Sequence, residues 1–154
     1  MENLTPASSL KGKKLYFDTN LFIYAVETTE TNHPYLAVID HLFSMAEKGE
    51  IQAITSELSL AETLVGAYKT SSELVVLYEE LLSNRTELAV FPVDKAVLRS
   101  AAYTRTVVKI ALADAIHVAT AINEQADIFI SNDEKLRVPD GIEKIGLTEI
   151  FVGK

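Results

Sequence analysis

Four carboxylates fall where the sequence is otherwise apolar. Asp18 follows Leu15-Tyr16-Phe17 and precedes Leu21-Phe22-Ile23. Glu62 sits inside Leu58-Ser59-Leu60-Ala61-Glu62-Thr63-Leu64-Val65. Asp114 interrupts Leu112-Ala113-Asp114-Ala115-Ile116, and Asp133 ends Ser131-Asn132-Asp133 just past Ile128-Phe129-Ile130. A carboxylate in such surroundings is costly unless it is paired, protonated or bound to a cation. Four gathered at one place would repel one another. A hard divalent cation that prefers oxygen ligands, Mg²⁺ or Mn²⁺, relieves that repulsion. Each acid also has a plainer reading: Asp18 and Asp114 as helix caps, Glu62 on a solvent face, Asp133 in a turn.

The elements that must position these acids can be read from apolar runs and caps. Short apolar segments, Leu15–Phe17, Ile51–Ile54, Leu88–Phe91, Ile128–Ile130 and Ile142–Ile145, suit buried strands. Between them lie helical patterns: Leu21 to Val26, Pro34 to Gly49, Thr55 or Ser56 to Tyr68, Ser71 or Ser72 to Asn84, Asp94 to Val108, and Leu112 to Gln125. Strands that read as continuous apolar runs between helices define an α/β fold with a largely parallel sheet, covered on both faces. Right-handed crossovers put the C-terminal ends of all strands on one edge. Asp18 and Asp133 then lie at the edge where open α/β sheets bind ligands. Residues 1–13, with Pro6, Ser8, Ser9 and Gly12, read as a loosely structured polar lead-in to a single domain over 14–154.

Length and composition agree. The chain has 154 residues, 48% hydrophobic and 23% charged, which suits one globular domain. It has no cysteine, so thiol nucleophiles, disulfides and cysteine-based metal sites are excluded. This fits a cytoplasmic location, and no apolar run approaches a membrane span. The net charge is −8: residues 1–94 carry 14 acids against 6 bases, residues 95–154 carry 8 of each. That is not the basic footprint of a generic nucleic-acid binder. Phosphate contacts must come from local bases, and Arg99, Arg105, Lys109 and Lys135 cluster around Asp114 and Asp133 in sequence.

The motifs in order resemble a PIN domain. Tyr16-Phe17-Asp18-Thr19-Asn20-Leu21-Phe22-Ile23-Tyr24 looks like its opening. Thr55-Ser56 with Ser59 and Glu62 is similar to its second acidic motif, Ala113-Asp114-Ala115-Ile116-His117-Val118-Ala119-Thr120-Ala121 to its third, and Ile130-Ser131-Asn132-Asp133 to its fourth. The resemblance implies a three-layer α/β/α sandwich with a five-stranded parallel sheet in the order 3-2-1-4-5. Size and layout most resemble VapC-type toxins of toxin–antitoxin pairs. Those are endoribonucleases that use one or two Mg²⁺ or Mn²⁺ ions. Their partners would be an RNA substrate, a small antitoxin and a second copy of the chain.

On this reading Asp18, Asp114 and Asp133 are the main metal ligands, and Glu62 completes the set or orients the attacking water. Thr19, Asn20 and Ser131 are expected to support the ligands, though Thr19 reads first as a helix starter. His117, three residues after Asp114, reads as a packed helix histidine ahead of a general acid. The apolar residues Leu64, Val65, Tyr68, Leu74, Val75, Leu77 and Tyr78 exceed what the core obviously needs and suggest a partner surface. Two other functions compete: a PIN fold kept as a non-catalytic RNA- or protein-binding module, and a phosphatase with Asp18 as nucleophile. The second wants an acid two positions on, where this chain has Asn20.

Overall fold

In the computed structural model, which describes residues 4–153, the expected strands and helices form in the expected order. The central sheet comprises β2 (Lys14–Phe17), β3 (Gln52–Ser56), β4 (Ala89–Phe91), β5 (Ile128–Ile130) and β6 (Glu143–Ile145). All are parallel, in the order β4-β3-β2-β5-β6. This is the 3-2-1-4-5 arrangement, with β2 as its first strand. The connecting helices are α1 (Thr19–Glu27), α2 (Pro34–Glu47), α3 (Glu57–Tyr68), α4 (Ser72–Leu81), α5 (Lys95–Val107) and α6 (Leu112–Asn123).

Alternation along the strands builds two cores. Leu15 and Phe17 of β2, with Ile128 and Ile130 of β5, face α1 to α4 and meet Leu21, Phe22, Ile39, Leu42 and Tyr78. Tyr16 and Phe129 point the other way, towards Val97 and Ala101 of α5 and Ala115, Val118 and Ala119 of α6. The register pairs Tyr16 with Phe129, so the two rings stack at 4.9 Å between centroids. Small residues on α6 let that helix lie close to the sheet, which fixes its side chains against the strand ends. Among the described residues no single helix is long and apolar enough to cross a membrane.

The N-terminal segment departs from the expected loose lead-in. Thr5–Pro6 (β1) pairs in parallel with Ile150–Phe151 (β7) in a separate two-stranded sheet. Ala7–Leu10 forms a 3₁₀ turn whose Ala7 and Leu10 are buried in the first core. The pairing joins segments at opposite ends of the sequence, and two-residue strands carry no readable period.

Candidate functional site

The site is built where β2 and β5 end side by side. After Phe17 the backbone N–H of Asp18 still bonds to the Ile130 carbonyl (3.1 Å), carrying the ladder one step past the strand. Asp18 then caps α1, its Oδ1 accepting from the Thr19 N–H at 2.8 Å. Its Oδ2 accepts from the Ser131 hydroxyl at 2.6 Å. Ser131 in turn accepts the Asp133 N–H at 3.1 Å. Asp133 folds its Oδ1 back onto the Lys135 N–H, an Asx turn that leaves its other oxygen without a bond among the described residues. The capping and turn readings of Asp18 and Asp133 therefore both hold, and neither uses up the position at the sheet edge.

Glu62 comes in from the second turn of α3. Its side chain is about a third exposed, 36%. Oε1 accepts from the Thr19 hydroxyl at 2.6 Å and from Nε2 of His117 at 2.7 Å. Oε2 makes no hydrogen bond among the described residues. Burial pushes the Glu62 carboxyl up, but the two bonds from His117 and Thr19 outweigh it, so the group is held below the ordinary glutamate value.

Asp114 stands in the first turn of α6, half-buried, with no side-chain hydrogen bond among the described residues. It does not cap the helix; Ala111 holds that position. Its pKa is raised, first by burial and then by the charges of Asp133 and Asp18. The acids therefore feel one another across the sheet edge. Arg105, Lys109, Lys135, Asp114 and Asp133 line a common cleft of about 600 Å³. Arg105 is partly committed there, its Nε donating to the Ile110 carbonyl. Arg99 lies elsewhere, in an apolar groove with Tyr103, Val107 and Ile122.

The donor set is carboxylate oxygen throughout, which fits a hard divalent cation, and such an ion would relieve the repulsion from Asp133 and Asp18 that adds to burial in raising the Asp114 pKa. As arranged, no three acidic or histidine side chains among the described residues are close enough together to chelate one. The like charges stand apart around the cleft. Thr19 and Ser131 each donate a hydroxyl hydrogen bond to an acid, to Glu62 and Asp18 respectively. Asn20 makes no side-chain hydrogen bond among the described residues and is only half-buried.

Two residues carry more of the site than their sequence context signals. His117 is 1% exposed, yet its ring is polar at both ends: Nε2 meets Glu62, and Nδ1 lies 2.6 Å from the Tyr16 hydroxyl. Tyr16 is wholly buried, and burial, with the nearby Asp18 charge, keeps its hydroxyl protonated far above its usual range. The i+3 spacing from Asp114 was the only sequence signal for His117. Tyr16 shows none, since it reads as a core aromatic.

The apolar partner surface divides. Tyr78 is buried, its hydroxyl bonded to Glu27, and Leu64, Leu74 and Val75 pack onto the core. Val65, Tyr68, Val76 and Leu77 stay exposed on α3 and α4. A second exposed apolar face, Tyr103, Val107 and Ile122, lies across the sheet on α5 and α6.

The PIN domain family model matches residues 15–142, so the chain belongs to the PIN domain family. Solved toxin–antitoxin structures share the fold. VapBC from Salmonella typhimurium bound to DNA aligns with a TM-score of 0.66 at 17% identity, over 88% of this chain and 98% of that one. VapBC2 from Rickettsia felis, bound to a promoter DNA fragment, gives 0.64 at 20% identity over 86% and 98%. VapC20 of Mycobacterium tuberculosis, a toxin that cleaves the sarcin–ricin loop, gives 0.58 at 15% identity over 77% and 91%. No curated protein sequence matches the chain.

Proposed function

We propose that this PIN-domain protein is a divalent-metal-dependent endoribonuclease and the toxin of a toxin–antitoxin pair. The observation that carries the reading is that Asp18, Glu62, Asp114 and Asp133 surround one edge of the sheet, near enough for the other three to raise the Asp114 pKa, beside a cleft that also holds Lys109 and Lys135. Solved structures of the same fold are toxin–antitoxin proteins, one of them a toxin that cleaves the sarcin–ricin loop.

Asp18, Asp114 and Asp133 would hold one or two Mg²⁺ or Mn²⁺ ions, with Glu62 completing the set directly or through water. A bound ion supplies an activated water and charge stabilisation at the phosphoryl and leaving oxygens. The protein's own groups do the rest. Lys109 and Lys135 neutralise phosphates flanking the scissile bond, and such contacts set position rather than sequence preference. The free Oε2 of Glu62 orients the attacking water. In-line displacement leaves 5′-phosphate and 3′-hydroxyl ends.

The two exposed apolar faces, on α3 and α4 and on α5 and α6, suit the two protein partners expected of such a toxin, an antitoxin and a second copy. The test is cleavage of a structured RNA pool by purified chain freed of any partner, with Mg²⁺ or Mn²⁺, beside EDTA and Asp18→Asn controls. Cleavage lost in both controls supports the nuclease. Cleavage that survives Asp18→Asn defeats the assigned site. A chain that binds RNA without metal and never cleaves it is a binding module instead.

A further inference from the structure

A chain of buried polar groups runs beneath the acids and ends on one oxygen of Glu62. The Thr55 hydroxyl donates to the Phe17 carbonyl at 2.8 Å. With its proton committed there, Thr55 accepts from Ser59 at 2.8 Å. Thr19, 3.2 Å from Ser59, directs its own proton to Glu62 Oε1. On the other side, an ionised carboxylate only accepts, so Nε2 of His117 carries a proton and donates it to the same Oε1. In the neutral ring Nδ1 is then the acceptor for the Tyr16 O–H, which lies 2.6 Å away. No buried side-chain polar atom among the described residues is left unpaired. The proton positions thus follow from one another.

We propose that Tyr16 and His117 are positioning residues: Tyr16 fixes the imidazole with its proton on Nε2, and that N–H, together with Thr19, pins Oε1 of Glu62 so that Oε2 alone faces the site. The Glu62 side chain is about a third exposed, and an unrestrained glutamate there samples many rotamers. Two short bonds from α1 and α6 remove that freedom. Groups that orient ligands from behind are worth about 10- to 100-fold in metal affinity or activity. The proposal rests on the nuclease reading for its kinetic consequence, but the proton positions can be observed without it.

Tyr16→Phe is the sharpest variant, because the ring and its stacking on Phe129 remain while the hydroxyl goes. Nitrogen NMR of the imidazole should show a single tautomer, protonated at Nε2, in the wild-type protein and a mixture in Tyr16→Phe. Calorimetric Mn²⁺ titration should weaken about tenfold in His117→Leu and recover in part in His117→Gln, whose amide N–H also reaches a carboxylate. On an RNA oligonucleotide, kcat should fall about tenfold in Tyr16→Phe with KM unchanged. A wild-type imidazole protonated at Nδ1 overturns the proposal. So does equal Mn²⁺ affinity in His117→Leu and the wild type, or a kcat loss that only tracks the folded fraction. A wild-type protein with no cleavage defeats the nuclease reading instead, and the tautomer and Mn²⁺ results still decide the positioning.

Discussion

Ser131 stands between the two aspartates that end adjacent strands: its hydroxyl donates to Asp18 at 2.6 Å while its oxygen accepts the Asp133 N–H at 3.1 Å. One buried serine thereby sets the distance between two acids far apart in sequence. Ser131→Ala leaves Asp18 Oδ2 without its donor at a position only 6% exposed. Urea unfolding of the metal-free protein should show a loss of about 1–3 kcal/mol. A change within error would mean that water replaces the hydroxyl.

Asp114 and Glu62 should impose opposite pH dependences. The raised pKa of Asp114 means that its stabilising contribution is present below the unfolded aspartate value and is lost as pH rises through the folded one. The lowered pKa of Glu62 means the reverse: its contribution is present above the unfolded glutamate value and is lost as pH falls through the folded one. Thermal melts of metal-free protein across the acid range should therefore diverge between variants. Asp114→Asn should gain stability relative to the wild type most clearly near neutral pH. Glu62→Gln should lose most there and converge with the wild type in acid.

Divalent cation should act through the same residue. Mg²⁺ or Mn²⁺ raises the melting temperature of the wild type by binding the folded state alone. In Asp114→Asn that increment should shrink sharply, because a neutral amide neither repels its neighbours nor binds a hard cation well. An unchanged increment would move the metal site away from Asp114.

The cleft separates the basic residues into two groups. RNA affinity measured against salt should lose roughly 0.7 of slope for each of Lys109→Ala and Lys135→Ala, the value for one phosphate contact on a single strand. Arg99→Ala should leave slope and affinity unchanged, since Arg99 lines the apolar groove rather than the acidic cleft. A slope that responds to Arg99 and not to Lys135 would place the RNA on α5 instead.

What the residues reveal in advance follows from the range of the interactions. Leu15–Phe17 and Ile128–Ile130 are legible as strands because apolar runs are a local signal, and Asp18 and Asp133 inherit their edge positions from them. The strand order is not in any local pattern; it came with the family resemblance. His117 is read as packing because a lone histidine in Ala115–Ala121 has no local partner. Its partners lie 101 and 55 positions away, on Tyr16 and Glu62. Arg99 and Arg105 share a helix, and only the packing of α5 on α6 sends them to different grooves. The same range limit hides the burial of Ala7 and Leu10.

That N-terminal burial can be measured directly. Leu10 is 1% exposed in the first core, so Leu10→Ala should cost about 2–5 kcal/mol in urea unfolding. A cost below 1 kcal/mol would show that the segment is dispensable to the domain.

The pairing of Thr5–Pro6 with Ile150–Phe151 has a kinetic side. The contact joins segments nearly the whole chain apart, so it becomes accessible only after the central sheet has brought β2 and β6 together through β5. It is also held by only two residues on each side. A contact so long in range and so short in length forms last and opens first. Amide hydrogens of β7 should therefore exchange with solvent well before those of β2 and β5, where the acidic edge is anchored. The domain is closed by a latch that can lift while the acidic edge stays folded.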